Sequence, residues 1–341
     1  MKGLFFAGEG KYEVKEIEKP VIKMPDEVLI RVEAAAICGT DLHILSVPPG
    51  HPAAEGAILG HEFSGIIEEV GDKVTDVSVG ERVVVDPSLF CGKCYYCRHG
   101  QPNMCMHNTC LGVFLDGGFA QYCAAPQSCL YKVSPDTPAE TAVHLDPVGC
   151  VLTSVGKLNP LVGETALILG AGPIGLYFIM MLKRMGMSKI IVSEPSALRQ
   201  EYAYKFGADI VIDPSKELLG QTVMKHTVDG ADFSVDTVGR LINDGIAYTR
   251  KGGRILLFGM NSSAQQTICQ NTITRKDLTI IGNYASRYKF DDTLRILESG
   301  LLPVNDMVTH RVSLEEFQSG IDALRSGNAI KVLVDPWKET I

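Results

Sequence analysis

Four cysteines lie in one short segment of the sequence, at spacings that suit a metal ion. Cys91, Cys94 and Cys97 are separated by two residues each, and Cys105 follows after seven more. A structural zinc ion is held by four soft donors that close a tetrahedron. Unligated, these thiols would form a loop prone to oxidation. We therefore predict a structural zinc site with no chemistry of its own.

A second metal site is suggested by one thiolate and one imidazole near the N-terminus. Each has a plain explanation when taken singly, Cys38 as a small core residue and His61 as a turn histidine. Together they offer two of the three protein ligands that a catalytic zinc needs beside its open fourth position. Asp146 and Cys150 are both candidates for the third ligand.

The segment GAGPIG follows an apolar strand and opens a long apolar helix, which is the setting of a dinucleotide-binding turn. In such a turn the first two glycines allow tight bending and close approach of the pyrophosphate, and the third allows helix–strand packing. The helix N-terminus then holds the anion. The predicted cofactor-binding residues are Gly170, Gly172, Pro173, Ile174 and Gly175.

An acidic residue is expected at the end of the next strand, where it would bind the ribose hydroxyls. Glu194 occupies that place. Because a carboxylate repels a 2′-phosphate, we predict NAD rather than NADP as the cofactor. Glu194 could instead be an acid that merely precedes a helix. The Arg199 side chain could cover the adenine ring, or it could pair with a 2′-phosphate.

Two kinds of strand pattern divide the chain. Residues 1–149 contain short alternating runs bounded by turn signals, as at 27–33, 65–70 and 82–86, which predict a mostly antiparallel β domain. From about residue 150 strands alternate with helices, which predicts a parallel doubly wound sheet. Its expected strands are 166–169, 189–193, 209–212, 233–236, 254–258 and 278–281, with helices at 176–185 and 198–206. The tail contributes helices at 290–299 and 314–326 and strands at 307–312 and 329–334.

Bulk properties exclude several classes of protein. The 341 residues have a net charge of −8 with no basic run, so no nucleic-acid partner is expected. No apolar stretch is long enough to span a membrane, and the N-terminal apolar patch is too short for a secretory signal. Ten cysteines without an export signal favour metal binding over disulfides. We therefore predict a cytoplasmic protein.

The metal-site residues stand in motifs that resemble the zinc-containing medium-chain alcohol dehydrogenases. The matching residues are Cys38, Gly39, Thr40, Asp41 and His43, then Gly60, His61, Glu62, Gly65 and Gly71. The four-cysteine segment and the glycine-rich turn follow in the family's order. The resemblance covers essentially the whole chain. It implies an α/β fold, with a mostly β GroES-like catalytic domain of residues 1–149 and 287–341 and a Rossmann NAD-binding domain of 150–286. It also implies two zinc ions per subunit, and a homodimer or homotetramer.

Within the family, the chain looks similar to the polyol, threonine and butanediol dehydrogenases. In that branch a Glu or Asp followed by Pro, 24 residues before the first nucleotide-binding glycine, lies near zinc; Asp146 stands at that distance from Gly170. Simple alcohol dehydrogenases use a cysteine about one residue earlier, where this chain has Leu145. The resemblance therefore favours Asp146 over Cys150, either as a direct ligand or through water. It also suggests that Glu62 can exchange onto the metal.

The resemblance implies a proton path as well. Thr40 would take the proton of the substrate hydroxyl and His43 would carry it outward, since imidazole exchanges protons near neutral pH. The alternative is that Thr40 is a helix cap and His43 a surface histidine. The expected reaction is hydride transfer between NAD and the carbinol carbon of an alcohol.

Substrate identity is the least determined property. By analogy the pocket wall includes Ile44, Leu45, Phe114, Leu115, Asn283 and Tyr284, with Asp116 either contacting substrate or serving in a turn. Polyol dehydrogenases tend to have Arg where Asn283 falls, which weakens a sorbitol-like assignment. We expect a polyol or other secondary alcohol, with a threonine-type amino alcohol or butanediol as the alternative. A non-enzymatic scaffold is disfavoured because the metal and relay residues are complete.

Overall fold

The computed structural model describes residues 1–339 and divides them into two compact units. Among these residues, the first unit comprises 1–149 and 286–339, and the second comprises 150–285. The sequence predicts boundaries at 149/150 and 286/287. Among residues 1–339, no helix combines the length and apolar character that a membrane crossing requires.

The N-terminal segment is built from short strands and short helices. The strands are β1 (Lys2–Gly8), β2 (Lys11–Glu16), β3 (Glu27–Ala36), β4 (Glu62–Val70), β5 (Arg82–Val85), β6 (Ser88–Leu89), β7 (Thr109–Cys110), β8 (Tyr122–Pro126) and β9 (Leu130–Lys132). The α-helices are α1 (Gly39–Ile44), α2 (Tyr95–Arg98), α3 (Ala139–Ala142) and α4 (Leu145–Leu158), and 3-10 helices cover Pro102–Met104 and Gln127–Cys129.

The middle segment alternates strands with helices. The strands are β10 (Thr165–Leu169), β11 (Lys189–Ser193), β12 (Ile210–Ile212), β13 (Ala231–Asp236), β14 (Thr249–Leu257) and β15 (Thr279–Gly282). The helices are α5 (Pro173–Arg184), α6 (Ala197–Phe206), α7 (Leu219–His226), α8 (Ile242–Tyr248) and α9 (Gln270–Lys276). The C-terminal segment adds α10 (Phe290–Glu298), a 3-10 helix (Val304–Met307), β16 (Val308–Val312), α11 (Phe317–Arg325) and β17 (Lys331–Val334).

The middle segment forms a six-stranded parallel sheet in the order β12-β11-β10-β13-β14-β15. The strand order reverses next to β10, so the glycine-rich turn after β10 lies at the switch point where such sheets bind nucleotides. Strands β10 and β11 are buried throughout their centres, as expected for a sheet covered on both faces. The doubly wound prediction is confirmed, with α5 beginning at Pro173 instead of the expected 176.

The first unit contains a seven-stranded, mostly antiparallel sheet in the order β16-β17-β3-β4-β5-β9, with β8 also paired to β3. The tail strand β17 runs antiparallel to β3, with Leu333 opposite Ala36. Strand β4 lies on the other side of β3, with Glu62 opposite Ala36. The ends of β17, β3 and β4 therefore meet, although the tail is far away in sequence. The helix expected at 314–326 begins only at Phe317.

Candidate active site

Cys38 stands where β3 gives way to the short helix α1. Its backbone N–H donates a 2.8 Å hydrogen bond to Oδ2 of Asp41, which caps the first turn. The Sγ atom lies 3.8 Å from Oγ1 of Thr40. His43, in the last turn of α1, is exposed. The chain thus places a half-buried thiol, a half-buried hydroxyl and an exposed imidazole along the short helix and its N-cap.

His61 and Glu62 lie at the start of β4, after a turn that only glycine can make. Gly60 has φ +92°, and a Cβ atom there would come within 2.6 Å of the Phe119 ring. Because Glu62 is paired with Ala36, both residues are next to Cys38. The ligand atoms of Cys38, His61 and Glu62 all lie within 4.8 Å of one another. The sequence suggested Cys38 and His61 together, with Asp146 or Cys150 as the third ligand. The structure instead brings Glu62, expected only to exchange onto the metal, to these two residues.

Several buried polar atoms around this group have no hydrogen bond among the described residues. They are Glu62 Oε1, Asp41 Oδ1 and His61 Nδ1. The last two lie 3.7 Å apart. Burial raises the pKa of Asp41 to about 6, and the charge of His61 opposes that shift. Burial lowers the pKa of His61, but the negative charges of Cys38 and Asp41 outweigh it, so the net shift is upward.

Lys331, on β17, brings a buried positive charge to the same place. It is 2% exposed, and its Nζ forms an ion pair with Oε2 of Glu62, which is 1% exposed. Burial lowers the pKa of this lysine, but Glu62 and Cys38 reverse the shift, so its pKa is raised overall. The ammonium therefore stays charged within the protein interior.

These features fit a divalent metal ion. Asp41, Glu62 and the thiolate that Cys38 becomes on binding a metal would place three negative charges beside the Lys331 ammonium. A divalent cation bound there with neutral His61 would balance them. One sulfur, one nitrogen and one oxygen donor are the ligand types of catalytic zinc sites. Bound zinc would also give the unpaired Glu62 Oε1 a partner.

Asp146, expected at the metal either directly or through water, lies in the first turn of α4 and does not belong to the group of ligand atoms within 4.8 Å. Its charge nevertheless acts nearby. Burial, together with Asp146, raises the pKa of Asp86 to about 7. Burial also raises the pKa of Cys110, and the charges of Asp146, Asp86, Asp41 and Cys38 contribute to this. The alternative ligand Cys150 falls in the second unit.

The four predicted structural ligands converge around α2 and the turn that follows it. Sγ of Cys94 lies 3.5 Å from that of Cys97 and 3.9 Å from that of Cys105, which in turn lies 3.5 Å from Sγ of Cys91. Backbone N–H groups, first that of Cys97, lower the pKa of Cys94 to about 6. Four thiols this close, with donors that favour a thiolate, form a cage suited to zinc.

The glycine-rich turn has room for a ligand. Gly170 has φ +98°, and a Cβ atom on Gly175 would lie 2.1 Å from the Gly170 carbonyl oxygen, so both positions require glycine. A Cβ atom on Gly172 would meet nothing within 4 Å, so this glycine leaves open space at the N-cap of α5. Pro173 and Ile174 begin that helix. The arrangement fits a pyrophosphate bound at the helix N-terminus.

Glu194 follows β11 and is 3% exposed. Its Oε2 accepts a 2.7 Å hydrogen bond from the N–H of Ala171 in the glycine-rich turn, and its Oε1 accepts one of 2.9 Å from Ser196. The carboxylate is thus fixed against the turn and keeps lone pairs that could accept further hydrogen bonds. Arg199 lies one turn into α6, and its Nε has no hydrogen-bond partner among the described residues.

The expected pocket-wall residues fall into two groups. Ile44 and Leu45 are buried in the hydrophobic core of the first unit, whereas Phe114 and Leu115 are about two-fifths exposed. Asp116 accepts a 3.0 Å hydrogen bond from the N–H of Ile58, as a turn acid would. In the second unit, Tyr284 is exposed, and Asn283 Nδ2 donates to the Ala285 carbonyl oxygen.

Sequence reasoning assigned no role to Asp41 or Lys331. Asp41 stood inside a quoted motif, but its position beside His61 depends on how α1 packs against β4. Lys331 is separated from Glu62 by 269 positions. One signal was present: Lys331 is the single charged residue of the apolar run 329–334. A charge within an otherwise buried strand requires a partner.

The fold and site together define a zinc-type dehydrogenase, and comparisons with known proteins agree. Residues 24–135 match the family described as "Alcohol dehydrogenase GroES-like domain", and residues 173–299 match "Zinc-binding dehydrogenase". The L-threonine 3-dehydrogenase of Rhizobium rhizogenes is 36% identical over 327 residues, 91% of each chain. D-arabinitol dehydrogenase 1 of Uromyces fabae is 32% identical, over 98% of this chain and 97% of its own.

Among solved structures, a zinc-binding dehydrogenase from Sinorhizobium meliloti 1021, bound to NADP, has a TM-score of 0.93 at 27% identity. The match covers 98% of this chain and 99% of that one. The chain therefore belongs to the zinc-binding, medium-chain alcohol dehydrogenase family. It is an oxidoreductase that acts on CH–OH donors, with a GroES-like domain and a Rossmann-type domain.

Proposed function

We propose that this protein oxidises a polyol or other secondary alcohol with NAD, at a zinc site formed by Cys38, His61 and Glu62. The observation that carries the proposal is the three-donor group, in which His61 and Glu62 are buried and Cys38 is half-buried. All ligand atoms lie within 4.8 Å of one another, and one carboxylate oxygen has no hydrogen bond among the described residues. A zinc ion held there supplies a Lewis acid. Asp146 belongs to the proposed site as a neighbouring carboxylate, either a direct ligand or one that acts through water.

Thr40 and His43 move the proton in this proposal. Thr40 Oγ1 lies near Cys38 Sγ, so its hydroxyl can accept a hydrogen bond from a substrate hydroxyl beside the ligands. His43 is exposed in the last turn of the same helix and can release the proton to solvent. Gly50 packs against the His43 ring, since a Cβ atom there would lie 3.0 Å from Nδ1.

The proposed nucleotide is NAD. Gly170, Gly172 and Gly175 would hold the pyrophosphate, with Pro173 and Ile174 at the helix N-terminus. Glu194 would accept hydrogen bonds from the adenosine ribose and repel a 2′-phosphate. The structural neighbour bound to NADP makes this preference worth testing directly. Arg199 is proposed to lie along the adenine, with phosphate pairing as the alternative.

The relatives named for threonine and arabinitol dehydrogenation leave two substrate classes. A polyol is the leading class, since uncharged hydroxyls suit the mixed apolar and polar surroundings. The negative charges of Asp146 and Asp41, which both act on Cys110, favour an amino alcohol such as L-threonine as a second candidate, because they would attract its ammonium group. The same charges disfavour anionic substrates.

A substrate panel tests the proposal. Zinc-loaded protein is mixed with NAD and, separately, with sugar alcohols, 2,3-butanediol and L-threonine, and NADH formation is followed by absorbance. Turnover of sugar alcohols above that of threonine supports the leading class, and the reverse order supports the second. No turnover of any secondary alcohol, with zinc content confirmed, would contradict the proposal.

We also propose that the protein is a homodimer or homotetramer in a reducing compartment, the cytoplasm. Strand β15 lies at the edge of the parallel sheet, and Ile280 on it is 36% exposed, as suits pairing with a second copy. Light scattering of wild type and Ile280→Lys tests the assembly, since the variant should shift towards monomer.

The proposed location is supported by the four-thiol cage, because thiolate ligands persist in reducing surroundings.

A further inference from the structure

The ion pair between Lys331 and Glu62 is among the most deeply buried charge contacts of the chain. Both side chains are nearly inaccessible, with 3% and 1% exposure. Lys331 is held in place by the sheet, since the N–H of Ile37 donates a 3.0 Å hydrogen bond to the carbonyl oxygen of the next residue, Val332. The lysine therefore lies against the segment that carries Cys38 and has little freedom to turn away.

The two carboxylate oxygens of Glu62 have different surroundings. Oε2 is bound by the Lys331 ammonium, whereas Oε1 is buried without a hydrogen bond. A metal ion held by Cys38 and His61 would be drawn to the same carboxylate. Because ammonium and metal ion are both cations, each weakens the hold of the other on Glu62.

We propose that Lys331 is a positioning residue that keeps Oε2 of Glu62 away from the metal and limits this carboxylate to one oxygen at the metal position. The inference rests on the proposed catalytic metal site. Lys331 thereby weakens metal binding and leaves coordination space for a substrate hydroxyl. A lysine that served only to stabilise the fold would have the opposite effect, since its loss would disorder the ligands.

Two substitutions separate these roles. Lys331→Met keeps the length of the side chain but removes its charge, which frees Oε2 and abolishes the repulsion. We expect its catalytic-site metal affinity to rise about tenfold or more. Lys331→Arg offers a planar fork that engages both carboxylate oxygens. We expect the affinity of this variant to fall at least about threefold. Lys338 is an exposed lysine beyond β17, and Lys338→Met is the matched control. It should leave the metal affinity of the catalytic site unchanged.

Metal affinity is measured by competition with a chelator, using zinc and then Co²⁺ as probes on the full chain. The ion lost in His61→Ala identifies the catalytic site. In Lys331→Met, the Co²⁺ absorption should also weaken, as expected when a further oxygen raises the coordination number. Circular dichroism confirms folding of each variant. If Lys331→Met does not fold, the metal affinity of Lys331→Arg alone tests the inference.

Unchanged or weaker metal binding in folded Lys331→Met would overturn the inference. Unchanged or tighter binding in Lys331→Arg would also overturn it. A different failure applies to the proposed function: if His61→Ala removes no ion from the wild-type count, the catalytic metal site itself is wrong. The two failures are therefore distinguishable.

Discussion

Oδ1 of Asp41 lies 3.7 Å from Nδ1 of His61, and both atoms are buried without hydrogen bonds among the described residues. A carboxylate beside a ligating imidazole orients the ring and increases its basicity. Asp41 also accepts the N–H of Cys38, so one side chain supports two proposed ligands.

Substituting Asp41 by Asn should therefore weaken zinc binding at this site. The amide oxygen can still accept the Cys38 N–H, but the charge beside His61 is gone. We expect affinity to fall roughly 10- to 100-fold, as measured by chelator competition. The exposed Asp26→Asn serves as the control. Wild-type affinity in Asp41→Asn would show that this carboxylate does not support the ligand.

Substituting His43 by Ala should lower turnover near neutral pH and leave the zinc content unchanged. The imidazole is expected to pass the substrate proton to solvent, and its loss should cost roughly 10- to 100-fold in kcat. The deficit should shrink at alkaline pH, where hydroxide accepts the proton directly. Rates are measured across the pH range beside His226→Ala, which lies in the other unit. Equal rates at every pH would rule out the relay.

Substituting Glu194 by Gln should reduce the preference for NAD over NADP. The amide oxygen can still accept one backbone N–H, but the charge that repels a 2′-phosphate is lost. We expect kcat/KM for NAD to fall and that for NADP to rise, changing their ratio about tenfold or more. Glu201→Gln, an exposed acid on α6, is the matched control. An unaltered ratio would show that Glu194 only fixes the turn.

Substituting Asp86 by Asn should remove a pH-dependent destabilisation. The folded-state pKa of Asp86 is about 7, above its ordinary 3.8, first because of burial. The folded state therefore favours the protonated acid, a contribution present below about pH 4 and lost as pH rises to about 7. Between these two pH values, the free energy of unfolding of the variant minus that of wild type should increase by at most about 1.4 kcal/mol per pH unit.

Urea unfolding at several pH values measures this gain, with the exposed Asp136→Asn as the control. The amide oxygen of the new side chain can still accept the N–H of Ser88, which donates to Oδ1 of Asp86. The substitution therefore changes the charge of the side chain and keeps this hydrogen bond. A constant difference between variant and wild type across the window would contradict the assignment.

Patterns local in sequence predicted much of this molecule. The strands around the glycine-rich turn are apolar runs bounded by turns, so β10 and β11 were found to within a residue. Cys91, Cys94 and Cys97 are close in space because they are close in sequence. Glu62 was singled out because it follows Gly60 and His61 in the sequence, and the tight turn at Gly60 fixes the position of these neighbours.

Features that depend on strand pairing were missed. Lys331 meets Glu62 only because β17 and β4 flank β3, and nothing local specifies that order. The short helices α7, α8 and α9 were not assigned, since they span only seven or eight residues each and are stabilised mainly by tertiary packing. Whether Asp146 reaches the metal directly or through water was left open by the sequence, because it depends on where α4 begins relative to the sheet.

The most direct test of the account counts metal ions and turnover together. Wild-type protein should contain two zinc ions per chain and oxidise a secondary alcohol with NAD. Cys105→Ser should lose the ion of the four-thiol cage, whereas His61→Ala should retain that ion, lose the other and lose turnover. If His61→Ala kept full turnover, or if active wild-type protein held one ion confined to the cage, the proposed catalytic site would be wrong.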